Sequence, residues 1–168
     1  MKKIMATLLV FLGLANMAGA VEKKDQRGQA ANNDVAAVDL AWELAPVKSY
    51  NELINMAAKE SPLDALSPAA KQRFIDSVVF TEEGVAGFYY KDLELELTPS
   101  EIHKILSLIG AQHMTSAFKK ARVETKADYS ILYSKDPKSP DGNFLLDYYC
   151  YQRASCEEST GKACTKNC

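Results

Sequence analysis

The sequence predicts an α+β fold, with short helices in the N-terminal half, antiparallel β-hairpins and two central helices, and a disulfide-stapled C-terminal tail. Two patterns lead to the fold class: capping residues precede apolar runs of helical period, and β-forming runs flank turn residues. A third observation concerns cross-links, because all four cysteines lie in the last nineteen residues. The expected disulfides therefore belong to one end of the molecule.

Residues 1–20 have the pattern of an export signal peptide. A start with Lys2 and Lys3 is followed by an apolar run without acidic residues, and Ala18-Gly19-Ala20 matches the small-x-small cleavage pattern. The run is too short for a typical transmembrane helix. We expect cleavage after Ala20, no membrane insertion afterwards, and a periplasmic or secreted mature protein; an uncleaved N-terminal anchor is the alternative.

The charge of the mature chain excludes one class of partner. Removing residues 1–20 removes two lysines and no carboxylate, which leaves 148 residues with 18 basic and 22 acidic side chains, a net charge of −4. A slightly acidic chain without a basic cluster is not typical of nucleic-acid-binding proteins. We therefore expect no nucleic-acid partner.

The domain organisation follows from composition. Residues 21–39 are mostly polar and offer too little apolar surface to offset the entropy lost on ordering, so a flexible tether is predicted there. Residues 40–168 have a length that suits a single α+β domain, of which residues 150–168 form the cysteine-rich tail.

Helix starts can be recognised from their capping residues. Ser49 and Glu52 have capping-box spacing, and Ser61-Pro62 and Ser67-Pro68 each place a capping side chain before a proline. The clearest start is Thr98-Pro99-Ser100-Glu101, which opens an apolar helical run that Gly110 is placed to end. A second helix is predicted from Ala111 to Ala121.

Two β-hairpins are predicted from runs of β-forming residues. Val78-Val79-Phe80 and residues 85–90 flank a short connection that contains glycine. Residues 129–133 and 144–151 flank a loop, residues 135–142, that is rich in proline and turn residues. The second hairpin would carry Cys150 near its end.

Three carboxylates form a candidate partner-binding site. Asp92, Glu94 and Glu96 alternate with leucines, which is the period of a strand with one acidic face, although leucine and glutamate favour helix. As a strand, the segment would present an acidic stripe to a basic protein surface. A weak calcium site and a solvated strand face are the alternatives.

Tyr148 and Tyr149 form a second candidate partner-binding site. Consecutive strand residues point to opposite faces, so at least one of the two rings is expected at the surface. Tyrosine is enriched at protein interfaces, although packing within a sheet explains the same residues.

The cysteines are expected to form two disulfides. Cys150, Cys156, Cys164 and Cys168 follow the pattern C-x5-C-x7-C-x3-C, which lacks the short spacings of zinc knuckles. Three pairings are possible, and the sequence favours one that joins Cys150 to Cys164 or Cys168, because only such a bond ties the tail to the sheet. With all four bridged, no thiol nucleophile remains.

No catalytic motif accompanies the two histidines. His103 and His113 are ten residues apart, so they do not share a helix face as metal ligands would, and no known nucleophile or zinc-protease motif is present. We expect no metal, no cofactor and no catalytic residue, and a non-enzymatic protein is favoured.

These observations predict an exported, small, disulfide-bonded binding protein, such as an inhibitor or immunity-type partner of an exported enzyme. A small secreted hydrolase or effector with a dispersed site is one alternative. An envelope structural or accessory protein is the other.

Overall fold

A computed structural model describes residues 37–133 and 144–168, and it shows the predicted α+β fold. The predicted signal peptide, the predicted tether up to residue 36 and the predicted loop 135–142 lie outside the described residues. Residues 37–39 are helical and Val38 is buried, so packed structure is present before Leu40, the predicted start of the domain.

Helices precede and follow a first hairpin, and a second hairpin comes last in the chain. The α-helices are α1 (residues 37–43), α2 (Tyr50–Ala57), α3 (Pro68–Ser77), α4 (Lys91–Glu96), α5 (Pro99–Leu108) and α6 (Lys126–Tyr133). Two 3₁₀-helices are η1 (Pro62–Ala65) and η2 (Gln112–Ala117). The strands are β1 (Val79–Thr81), β2 (Gly84–Tyr89), β3 (Phe144–Gln152) and β4 (Ser155–Thr165).

The described strands form one antiparallel sheet in the order β1-β2-β4-β3. The cysteine-rich segment is therefore itself a strand that lies between β2 and β3. The β3–β4 register changes along its length, from the pair Leu146–Ala163 to the pair Tyr148–Glu158. This irregularity divides β4 into a part that also pairs with β2 and a part that pairs with β3 alone.

The predicted helix starts are confirmed where the contacts are local. The Thr98 hydroxyl accepts from Glu101 N, and the Glu101 carboxylate accepts from Thr98 N at 2.8 Å, which is the reciprocal pattern of a capping box. Gly110 follows α5 with a φ of +71°, and a Cβ there would lie 2.8 Å from the Trp42 Cα. The predicted helix 111–121 forms only the shorter η2.

The strand predicted around Asp92, Glu94 and Glu96 is wrong, because these residues belong to helix α4. Leu93 and Leu97 are four residues apart and both are buried, whereas Leu95 is 70% exposed. Burial of two leucines on one helical face, together with the helix propensity of leucine and glutamate, outweighs the alternating pattern.

The predicted pairing of residues 129–133 with residues 144–151 is also wrong. Residues 129–133 lie in α6, with Leu132 buried and the Tyr129 and Tyr133 rings exposed. The partner of β3 is β4, joined to it by a turn at Arg153-Ala154. The first predicted hairpin is confirmed, since β1 pairs with β2.

Two hydrophobic clusters lie on opposite faces of the sheet. The main core packs the helices against one face, and Phe74 of α3 meets Phe88 of β2 edge to face with ring centres 5.9 Å apart. The second cluster consists of Ala86, Cys164 and Cys168. Ala163 belongs to the main core and its neighbour Cys164 to the second cluster, as expected for consecutive strand residues.

In residues 37–133 and 144–168, no helix combines the length and the apolar character that crossing a membrane requires.

Candidate functional site

The three predicted carboxylates are each hydrogen-bonded to other parts of the fold, and two of them are buried, so they do not form an exposed stripe. Asp92 is buried and accepts two hydrogen bonds from Arg73, at 2.8 Å from Nε and 3.0 Å from Nη2. Glu94 is buried between Lys91 Nζ at 3.1 Å and the Lys120 main-chain N–H at 3.1 Å. These contacts tie α4 to α3 and to the segment after η2.

Glu96, which is half-buried, is also hydrogen-bonded to another helix. Its two carboxylate oxygens accept from the main-chain N–H and the hydroxyl of Ser67, both at 2.8 Å, at the start of α3. The hydrogen bond from Lys91 to Glu94 raises the pKa of Lys91. The geometry therefore gives the three carboxylates a positioning role for α4.

Tyr148 and Tyr149 lie on opposite faces of β3, and their surroundings differ. Tyr148 packs against the second cluster, and its hydroxyl lies 3.3 Å from Glu158 Oε1. The Tyr149 hydroxyl donates to Glu157 Oε2 at 3.0 Å, and this hydrogen bond raises the pKa of Tyr149. Tyr149 also lies next to the Tyr151 ring and the Lys162 ammonium group.

We name this surface the tyrosine face and define it by Tyr149, Tyr151, Glu157 and Lys162. The Tyr149 and Tyr151 rings meet at a steep angle with centres 6.3 Å apart, and Tyr151 is 59% exposed. Lys162 Nζ lies 5.0 Å from the centre of the Tyr149 ring. Two aromatic rings are thus bordered by one carboxylate and one ammonium group.

Three members of this site were not predicted from the sequence: Tyr151, Glu157 and Lys162. The alternation of β3 alone places Tyr151 on the same side as Tyr149. Glu157 and Lys162 could be added only from the β3–β4 pairing, in which Tyr149 lies opposite Glu157.

Asp147 connects β3 to the rest of the fold and so positions the tyrosine face relative to the helices of the main core. We call this set of contacts the Asp147 joint, and we call those helices the helical layer. Asp147 has a φ of +62°, and its Oδ1 accepts from Gly161 N at 2.7 Å and from the Tyr90 hydroxyl at 3.0 Å. These two donors hold the pKa of Asp147 below its usual value. Gly161 has a φ of +82°, and a Cβ there would lie 2.6 Å from the Tyr89 ring. The joint therefore requires a glycine at residue 161.

Two disulfides hold the hairpin that carries the tyrosine face. Cys150 is bonded to Cys168 and Cys156 to Cys164, with Cα–Cα distances of 5.4 Å and 6.1 Å. The prediction that Cys150 pairs with Cys164 or Cys168 is confirmed. Cys150 and Cys156 are also direct neighbours across β3 and β4. The two bonds thus lie side by side and limit movement of the strands that present the tyrosines.

The cysteines are also the one group of potential metal ligands among the described residues. The sulfur atoms of Cys156, Cys164 and Cys168 lie within 4.8 Å of one another. Zinc and other soft metals bind thiolates, whereas these sulfur atoms are bonded in disulfides. In this oxidised form the cluster offers cross-links and no thiolate ligand.

The histidines lie away from the tyrosine face. His113 packs near the Phe144 ring, with centres 6.3 Å apart, and its buried Nδ1 has no hydrogen-bond partner among the described residues. Burial and, to a lesser extent, the charge of Lys166 lower the pKa of His113 to about 4. Burial also lowers the pKa of His103. His113 is therefore neutral at physiological pH.

The cavity beside His113 is too small for a substrate. Its volume is about 20 Å³, which is room for about one water molecule, whereas ligand pockets measure hundreds of Å³. Asp39 also lines this cavity, but its carboxylate pairs with Lys166 Nζ at 2.9 Å. A histidine–carboxylate pair of the kind used in general base catalysis is not formed here.

Comparison of the chain with protein-family models, with curated proteins and with solved structures finds no significant match in any of the three.

Proposed function

We propose that this chain is an exported, disulfide-bonded protein that binds another protein, as an inhibitor or immunity-type partner of an exported enzyme does. The observation that carries the proposal is the tyrosine face, where the Tyr149 and Tyr151 rings meet edge to face and Glu157 and Lys162 both contact Tyr149. Aromatic residues bordered by charged groups are the typical composition of a protein interface.

The rigidity of the hairpin supports binding over a purely structural role. The two disulfides and the Asp147 joint fix the strands that carry the tyrosines. A fixed surface loses less conformational entropy when a partner binds, so more of the contact energy contributes to affinity. Tyrosine side chains add to this advantage because they have few rotatable bonds.

The export part of the proposal rests on two supports. The first is the composition of residues 1–20, with a positive start, an apolar run and small residues before the cleavage position. The second is the pair of disulfides, since such bonds persist in oxidising compartments. Edman sequencing of the protein recovered from the periplasm or medium is expected to start at Val21.

A pull-down with a matched control tests the binding function. The mature chain, residues 21–168, is immobilised and exposed to the envelope and culture fractions of the producing cells. We expect a stoichiometric protein partner whose capture falls about tenfold or more in Tyr149→Ala/Tyr151→Ala. The control is Tyr129→Ala/Tyr133→Ala, which removes another exposed pair of rings, 4.7 Å apart, on α6.

Circular dichroism and melting curves of both double variants show whether each remains folded. Equal capture by the wild type and by the Tyr149→Ala/Tyr151→Ala variant would refute the tyrosine face as the binding surface. Absence of any partner in every fraction would refute the binding function itself.

A further inference from the structure

The open edge of β1 has features that the tyrosine face does not use. Among the described strands β1 pairs with β2 alone, and it lies at the end of the sheet. Thr81 and Gly84 are paired across the two-residue turn Glu82-Glu83. In an antiparallel hairpin of this kind the next pair, Phe80–Val85, is the non-hydrogen-bonded one. The Phe80 N–H and C=O therefore point to the open edge.

Two shallow, open grooves border this edge, and they share Val79, Thr81 and Glu82. One groove, of about 660 Å³, is lined by Tyr50, Val78 and Val79 on the side where α2 begins. The other, of about 640 Å³, is lined by Thr81 and Ala86 and extends to the end of the β3–β4 hairpin. A strand added beside β1 would point successive side chains to alternate faces of the sheet and so into both grooves.

The charge at this edge indicates the chemistry of the added strand. Glu82 borders both grooves, and neither Glu82 nor its neighbour Glu83 has an ion-pair partner among the described residues. Val79, the first residue of β1, is 46% exposed at this edge. An extended segment with apolar residues along β1 and a basic residue at the turn would complement both features.

The other edge of the sheet is less suited to strand addition. β3 is longer, with nine residues, but its ladder is interrupted at Asp147, where φ is +62° and the register shifts. A register shift of this kind bends a strand and interrupts the row of main-chain groups that an added strand would need. β1 has one such shift, between Val79 and Phe80. β3 has two, between Leu146 and Tyr148 and between Cys150 and Gln152. The β1 edge has the two grooves and the unpaired carboxylates as well.

We propose that the β1 edge is a strand-addition site for an extended, basic segment of a protein partner, with alternate side chains in the two grooves. The inference rests on the proposed binding function and refines it. Tyr151 belongs to the tyrosine face and also lines the groove that reaches Thr81 and Glu82. One partner can thus cover the tyrosine face and place an extended segment along β1.

Selection from a library of random linear peptides tests this site without the native partner. The probe is a phage-displayed twelve-residue library panned on the mature protein. We expect enriched peptides in which apolar residues alternate and lysine or arginine recurs, and we expect their binding to slow amide hydrogen exchange at Phe80. Methylation of alternate peptide nitrogens should weaken affinity about tenfold or more, because it removes main-chain donors.

Charge reversal at the turn provides the matched variants. Glu82→Lys should weaken the selected peptides about tenfold, whereas Glu60→Lys, an exposed carboxylate elsewhere on the surface, should change affinity less than about twofold. Both positions are exposed, so both variants are expected to fold.

Three results would overturn the strand-addition site: no enriched sequence, enriched peptides that bind Glu82→Lys as well as wild type, or tolerance of N-methylation. The tyrosine-dependent pull-down tests the binding function separately. Failure of the peptides with a successful pull-down would therefore remove only the strand-addition site.

Discussion

The two faces of the sheet are held by different physical means. On one face, helices bury a continuous aliphatic and aromatic core that includes Leu53, Phe74, Leu93 and Ile105. On the other face the buried cluster is small, and cystine takes the place of large apolar side chains around Ala86. The helical layer depends on hydrophobic burial, and the hairpin end depends on covalent cross-links.

Because of this difference, the residues proposed to bind a partner are distinct from the residues that stabilise the fold. The tyrosine face lies on the cross-linked hairpin, and its residues belong to neither buried cluster, so they can vary without removing core volume. The carboxylates of α4 lie in the helical layer, where each one has internal donors. A substitution in the tyrosine face should change binding, and a substitution in the helical layer should change stability.

The largest loss of stability is expected from a substitution in the helical layer. Leu93→Ala removes a fully buried side chain and leaves a cavity in the main core, so the free energy of unfolding should fall by about 3–4 kcal/mol. Leu95→Ala is the matched control, because it lies two residues away on the same helix and is 70% exposed. Urea denaturation followed by circular dichroism measures both. Similar losses for the two variants would contradict the assignment of Leu93 to the core.

Removal of the cross-links is expected to have the next largest effect, and a local one. Cys150→Ala/Cys168→Ala opens a loop with a separation of 18 residues, and Cys156→Ala/Cys164→Ala one of 8 residues. Loop-closure entropy predicts losses of about 3 and about 2.5 kcal/mol, respectively. Each loss should appear in denaturation curves measured without reductant.

Hydrogen exchange shows where the cross-links act. Loss of either disulfide should speed amide exchange in β3 and in the part of β4 that pairs with β3 alone, while α5 keeps most of its protection. If amide exchange became faster by the same factor throughout the chain, the hairpin and the helical layer would unfold as one unit. The disulfides would then stabilise the whole fold and not the hairpin alone.

What the sequence could reveal differs between the same two regions. The α5 start at Thr98 and its end at Gly110 depend on contacts within four residues and on one backbone angle, so local patterns predicted them. The β1–β2 hairpin has a short turn and was predictable for the same reason. Local rules succeeded where local contacts decide the structure.

The errors arise where distant contacts decide. Residues 91–96 form a helix because Leu93 and Leu97 reach the main core, which an alternating sequence does not show. The segment of β4 contains few β-forming residues, and its strand conformation depends on its neighbours β2 and β3. The tyrosine face was found only in part, because Glu157 and Lys162 join it through that pairing.

The smallest predicted change in stability comes from protonation of His113. This residue packs near Phe144 at the start of β3, in the seam where the helices meet the hairpin. Its pKa is about 4 in the folded protein and about 6.5 when unfolded, so folding favours the neutral ring. Above about pH 6.5 this contribution to stability is fully present. As the pH falls below 6.5 the unfolded chain binds a proton that the folded protein does not, and stability is lost until about pH 4.

Between pH 7 and pH 5 the loss due to His113 should be about 2 kcal/mol, and His113→Phe should remove most of it. The pKa values of Asp64, Asp128 and Asp147 lie below the usual carboxylate value, so their contributions are lost only at lower pH. His103→Gln is the control: it leaves the His113 contribution in place, so most of the pH dependence should remain. A wild-type stability that is flat from pH 7 to pH 5 would mean that His113 is hydrated or paired when folded, and that the seam between helices and hairpin is open to water.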